Sequence, residues 1–192
     1  MRALHPSYIV GIGGSAGAFN AYKTFLNALP SNTGMAFVII SHMNPTAHSQ
    51  LAALLSKRTK MKVLVASEAM LIQRNHVYVI PPNADLTVES YIFKVAIPRT
   101  KRNVQIDLLF ISLAKSMEAR AIGIILSGYC GDGTEGCKFI KAKGGTTFAQ
   151  DDSAEVGVMP LRAQASGCID FVLPPDKIAD ELTKIGARFR QQ

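Results

Sequence analysis

Three side chains able to do acyl-transfer chemistry stand at matching points of the 192-residue sequence, each just past a short apolar run. Ser15 lies in Gly13-Gly14-Ser15-Ala16-Gly17, after the run Tyr8–Ile12. His42 follows "AFVIIS", Ala36–Ser41, and Asp132 lies in Gly128-Tyr129-Cys130-Gly131-Asp132-Gly133, after Ala121–Ser127. A hydroxyl, an imidazole and a carboxylate are the groups that serine-type catalysis needs. The imidazole takes the hydroxyl proton, and the carboxylate fixes its tautomer and stabilises the imidazolium. The turn at Ser15 fits G-x-S-x-G, which aims a serine out of the chain. A helix starting there offers the Ala16 amide as half of an oxyanion hole, and the Gly128–Gly131 loop, with Tyr129 and Cys130, is placed to supply the other half.

The same residues have plainer uses. Ser15 can cap the helix that begins beside it. His42 can be an ordinary loop residue, and Asp132, between glycines, a turn former or the N-cap of the next helix. The glycine-rich turn also reads as a phosphate cradle, since Gly11-x-Gly13-x-x-Ala16 is a loose dinucleotide fingerprint. That reading wants an acidic residue at the end of the second strand to hold a ribose, and Ser41-His42 stands there instead; no P-loop lysine is present either. A metal site built on His42 and His48 lacks an Asp, Glu or Cys in the same segment, so neither metal nor cofactor is expected. The order Ser15, His42, Asp132 also differs from the Ser, Asp/Glu, His order of α/β-hydrolases.

Stepwise alternation of β-rich apolar runs and helical patterns supplies the frame. Strands are expected at Tyr8–Ile12, Ala36–Ser41, Val63–Ala66, Val77–Ile80, Leu86–Glu89, Ile92–Ile97, Ala121–Ser127, Gly145–Phe148 and Ile169–Leu173. Helices are expected at Gly17–Leu29, Ser49–Arg58, Asp107–Arg120, Thr134–Ala142, Met159–Ser166 and Pro175–Arg188. This is the pattern of a three-layer, doubly wound α/β fold with a mainly parallel sheet. The crowded strands from Val77 to Ile97, with Pro81-Pro82-Asn83 and Glu89-Ser90 as turn signals, read as an antiparallel hairpin insertion. Ser15, His42 and Asp132 then share the carboxyl edge of the sheet, where such folds place their sites near a switch in strand order.

Composition narrows the classes further. With 48% hydrophobic residues, the chain can bury one substantial core, so a single domain over residues 1–192 is expected. The net charge of +7 suits an acidic partner. Nucleic acid is not expected, because the basic run Arg99-Thr100-Lys101-Arg102 has no interleaved aromatics and tryptophan is absent. The three cysteines, Cys130, Cys137 and Cys168, form neither C-x-x-C spacing nor an even set, which suits a reducing compartment. No signal-peptide pattern is present and no apolar run approaches the ~18 residues of a membrane span. A cytoplasmic protein without membrane insertion is expected.

Taken together, the motifs resemble the catalytic domain of the CheB-type protein-glutamate methylesterase family, from Tyr8 to about Leu182. The likeness is carried by Gly13-Gly14-Ser15-Ala16-Gly17, "AFVIISHMNP", "VYVIPPNADLTV", "IDLLFISLA", "AIGIILSGYCGDGTEGCKFIKAKGGTTFAQD" and "MPLRAQASGCIDFVLPPDKIADEL". The resemblance implies hydrolysis of glutamyl methyl esters on methyl-accepting chemotaxis receptors, and deamidation of particular receptor glutamines. It implies Ser15 as nucleophile, His42 as general base and Asp132 as its orienter, with no cofactor. Receptor proteins would be the substrate, and receiver or methyltransferase modules of the same pathway further partners. A catalytically weak regulatory or binding module is the alternative reading. Family members usually carry an N-terminal receiver domain, and none is expected within this chain. Two departures stand out: Ala18 where many members have a second glycine, and Cys130 where the Asp loop usually reads Gly-x-Gly-x-Asp-Gly.

Overall fold

The computed structural model describes residues 5–42 and 45–189, and for residues 45–49 the backbone alone. His48, considered above as a metal ligand, has its side chain outside the described residues. In chain order the elements are β1 (Ile9–Gly14), α1 (Ala18–Ala28), β2 (Ala36–Ser41), α2 (Pro45–Ser56), β3 (Lys62–Val65), β4 (His76–Val79), β5 (Asp85–Glu89), β6 (Ile92–Ala96), α3 (Gln105–Met117), a 3-10 turn (Glu118–Arg120), β7 (Ala121–Ile125), α4 (Thr134–Ala142), β8 (Thr146–Gln150), α5 (Val158–Ala165), β9 (Phe171–Leu173) and α6 (Pro175–Phe189). Seven strands form one sheet in the order β3-β4-β2-β1-β7-β8-β9, and β5 and β6 form a separate pair. Every pairing in the large sheet is parallel.

The expected α/β architecture is therefore present, with one correction. Val77–Ile80 does not join a hairpin: β4 lies between β3 and β2 in the parallel sheet. The antiparallel hairpin is made by β5 and β6, from Asp85↔Ala96 to Glu89↔Ile92, with a single antiparallel bridge from Leu71 to Ile92. The run Val77, Tyr78 and Val79 is buried, as a strand inside a covered sheet must be. Pro81-Pro82 punctuates the exit from that sheet and is not a hairpin turn.

Period-two alternation divides the core between the two faces of the sheet. On β1, Val10 and Ile12 join Tyr22, Phe25 and Leu26 of α1 and Ile178 and Leu182 of α6. Ile9 joins the opposite cluster, with Ile106, Phe110 and Leu113 of α3 and Met159 of α5. Each such side chain, fully buried, contributes roughly 1.5–3 kcal/mol. Gly11 and Gly13 also face α3, and they explain much of the glycine-rich motif. A Cβ at Gly11 would lie 2.7 Å from Phe110 Cε1, and one at Gly13 would lie 2.6 Å from Ile106 Cγ2. These glycines let α3 press against the central strand; no phosphate is needed to account for them. Gly17 has φ +73°, and it forms the left-handed entry to α1.

After β1 the chain winds outward to β2, and after the β5–β6 hairpin α3 returns it to β7 on the other side of β1. The switch in winding direction thus falls at the carboxyl end of β1, where a crevice opens between diverging connections. Gly13→Ala should cost about 1–3 kcal/mol, because branched Ile106 has little freedom to yield. The urea midpoint measures this, and an unchanged midpoint would show that α3 is not held at this distance.

Candidate active site

The segments leaving β1, β2 and β7 are tied together through their backbones. The Leu126 N–H donates to the Gly13 carbonyl (2.8 Å), the Ser15 N–H to the Ser127 carbonyl (2.9 Å), and the His42 N–H to the Gly14 carbonyl (3.2 Å). Ser127, fully buried, adds a side-chain tie. Its Oγ donates to the Ala16 carbonyl at 2.8 Å and accepts from the Val156 N–H at 2.9 Å. Three residues remote in sequence thereby reach one rim through main-chain geometry.

His42 Nε2 lies 2.7 Å from Asp132 Oδ2. The Asp132 carboxylate has no solvent-exposed side-chain surface, and its other partners are backbone amides at the start of α3. Ile106 N–H donates to Oδ2 at 3.0 Å, and Asp107 N–H donates to Oδ1 at 2.9 Å. Unpaired N–H groups at a helix start carry partial positive charge and stabilise an anion there. Asp132 does not cap the helix that follows it, because Gly133 occupies the N-cap of α4 without a side-chain cap bond. The plainer reading of Ser15 is likewise set aside. Gly17 is the N-cap of α1, and no side chain caps it.

Because Nε2 donates to a carboxylate, the neutral ring has its free lone pair on Nδ1. That nitrogen faces Cys130, whose Sγ lies 3.4 Å away. The Ser15 hydroxyl makes no hydrogen bond to the imidazole, though Ser15 and His42 line one cavity of about 340 Å³ with Ala16, Gly17, Phe19, Tyr22 and Ser41. Burial opposes charge on His42, but Asp132 and then Cys130 outweigh it, and its pKa rises to about 9. Burial holds the Tyr22 hydroxyl in its neutral form, well above the ordinary tyrosine range.

Of the expected oxyanion donors, the Ala16 N–H has no hydrogen-bond partner among the described residues and adjoins the cavity. The Gly128 N–H is not available, because it donates to the Val156 carbonyl at 2.9 Å. Tyr129 projects from the same loop and is 67% exposed. Two supporting groups went unnoticed in the sequence, Asp107 and Ser127. The Asp107 carboxylate accepts from the Gly136 N–H of α4 at 2.7 Å. Burial raises its pKa, lifted further by neighbouring Asp132 and held back by the Gly136 and Gly133 amides, to about 6. A carboxylate in the first turn of a helix, as in "IDLLF", was a visible signal, but its target lies 29 residues away.

A parallel doubly wound domain with a buried carboxylate–imidazole pair at its switch point has the framework of a hydrolase that needs a polarised base. Comparisons with known proteins agree on which one. The family model described as CheB methylesterase matches residues 10–182. A putative protein-glutamate methylesterase/protein-glutamine glutaminase of Leptospira interrogans serogroup Icterohaemorrhagiae serovar copenhageni is 36% identical over 173 residues, covering 88% of this chain and 90% of that one. The protein-glutamate methylesterase/protein-glutamine glutaminase of Desulfotalea psychrophila is 32% identical over 183 residues, covering 91% of this chain but 50% of its own length. The crystal structure of the Thermotoga maritima CheB methylesterase catalytic domain superposes with a TM-score of 0.85 at 26% identity, covering 93% of this chain and 98% of that one. The chain belongs to the CheB methylesterase family.

The pair makes two measurable demands. By NMR titration the His42 ring should lose its proton near pH 9, and Asp132→Asn should lower that value. A folded pKa above the unfolded value of 6.5 adds stability that is complete below pH 6.5 and is lost as pH rises through about 9. Asp132→Ala should cost about 3–5 kcal/mol, since it orphans a buried imidazolium and two helix amides. A loss under ~1 kcal/mol in chemical denaturation would mean that the carboxylate is not the anchor.

Proposed function

We propose that this chain hydrolyses methyl esters of glutamate side chains on chemoreceptor proteins, and the corresponding glutamine amides. Ser15 is the nucleophile, His42 the general base and Asp132 the orienter. The observation that carries the assignment is the buried His42–Asp132 pair, whose imidazole lines a cavity together with Ser15. The names of the relatives, each a methylesterase/glutaminase, supply the substrate class.

The steps follow from the groups present. Ser15 Oγ attacks the acyl carbon as its proton passes to Nδ1 of His42. Negative charge collects on the former carbonyl oxygen, where the Ala16 N–H is free to donate. The C–O bond to methoxide breaks, or the C–N bond of an amide, and the leaving group takes the proton from Nδ1 as methanol or ammonia. Water then repeats the sequence on the acyl-serine, releasing glutamate and restoring the hydroxyl. Throughout, Asp132 holds the ring by Nε2 and balances its charge.

Receptor segments gain negative charge as their esters are removed, and the +7 charge of this chain favours their approach. The free cysteines suit catalysis in a reducing, cytoplasmic setting. Among the described residues no helix is long and apolar enough to cross a membrane.

Methanol release from methylated receptor membranes tests the proposal. Ser15→Ala should lose at least ~1,000-fold in kcat with its melting temperature unchanged. Retained turnover would remove Ser15 from the mechanism. Because only neutral His42 accepts a proton, kcat/KM should climb as pH rises toward about 9. A profile already flat at neutral pH would contradict this assignment of the base. Added salt should slow the receptor reaction more than that of a small neutral ester, and equal slowing would argue against electrostatic approach.

A further inference from the structure

His42 Nδ1 has one lone pair when neutral and one N–H when charged, so it serves one partner well at a time. In this structure that partner is Cys130 Sγ, at 3.4 Å, and the Ser15 hydroxyl has no bond to the ring. The other ring nitrogen is committed to Asp132 at 2.7 Å. Resting on the reading of Ser15 and His42 given above, we propose that Cys130 is a gate on the catalytic base: its thiol occupies Nδ1 in the resting site, and Ser15 gains that nitrogen only when the thiol yields it.

The chemistry of the contact suits a gate better than a lock. A neutral thiol is a weak donor, so a hydroxyl brought up by substrate competes with it. The groups that bear on the His42 charge among the described residues are Asp132 and Cys130, and both favour the imidazolium. Asp107 acts from behind, through Asp132. Cys130 thus restrains the base in both of its forms: it fills the acceptor when the ring is neutral, and it favours the charged ring. The residue needs no large movement to let go. Cys130 is half-buried next to exposed Tyr129, in a loop between Gly128 and Gly131. Cys130 is therefore a positioning residue, and Ser15 remains the group that attacks.

The test compares wild type, Cys130→Ala and Cys130→Ser on a small methyl ester, with kcat and KM followed from neutral to alkaline pH. Cys130→Ala should raise kcat at neutral pH about three- to tenfold, leave KM within about twofold, and move the acid limb of the profile to lower pH. Cys130→Ser keeps a polar contact without the titratable thiol. It should move the acid limb in the same direction with a smaller gain in kcat, and it carries the test if the alanine variant folds poorly. A merely structural cysteine would change the melting temperature without moving the limb, and that result would overturn the proposal. So would a fall in kcat on removing the thiol, above all if Ser15→Ala accumulates a thioester on Cys130. These failures are separable from failure of the functional reading. If Ser15→Ala retains full turnover, the nucleophile is wrong; if it loses turnover and Cys130→Ala gains none, only the gate is wrong.

Discussion

The organisation of this molecule depends on one buried carboxylate. Asp132 is shut away from water, and desolvating such a charge costs several kcal/mol unless donors surround it. Three do: the Ile106 and Asp107 amides at the start of α3, and Nε2 of His42. Two of the three are main-chain groups whose positions are set by the packing of α3 on the sheet. That packing in turn requires Gly11 and Gly13 to be without side chains, so that Phe110 and Ile106 can approach β1. The orientation of the His42 ring is therefore an outcome of how closely one helix lies on the central strand.

The arrangement is reciprocal. Asp132, at the start of the α4 region, satisfies amides of α3, and Asp107, in the first turn of α3, satisfies an amide of α4. Each helix start is capped by the other's carboxylate, so the two helices and the loop between β7 and α4 form one electrostatic unit. Two carboxylates this close repel one another, in keeping with the raised pKa of Asp107. On the other side of the cleft, Ser127 ties the Ser15 turn to the segment that follows β8. These ties at the rim run mostly to backbone groups.

Much of this arrangement is legible in the amino-acid sequence. The strand Ala36–Ser41 and the helix near Thr134–Ala142 are legible, because unbroken apolar runs and a glycine-bounded helical pattern leave little choice. The parallel frame followed from alternation, and the expected site residues at its carboxyl edge followed from topology. The β4 pairing was misread because a buried parallel strand and a hairpin strand share the same short apolar pattern. Gly11 and Gly13 also fit a loose phosphate-loop fingerprint, since only the distance to α3 shows what they accommodate. Asp132 looked like a local cap because sequence shows neighbours and not the amides of a helix 26 residues earlier. The Cys130 contact with His42 spans 88 residues and has no local signature; only the substitution of a glycine hinted at it.

The most direct test of the central claim, that Asp132 and His42 make Ser15 reactive, is covalent trapping by a sulfonyl fluoride, read by peptide mass spectrometry. The account predicts a single adduct on the peptide holding Ser15, absent from His42→Gln and formed far more slowly in Asp132→Asn. Labelling that falls elsewhere, or that proceeds at the same rate without the imidazole, would contradict it.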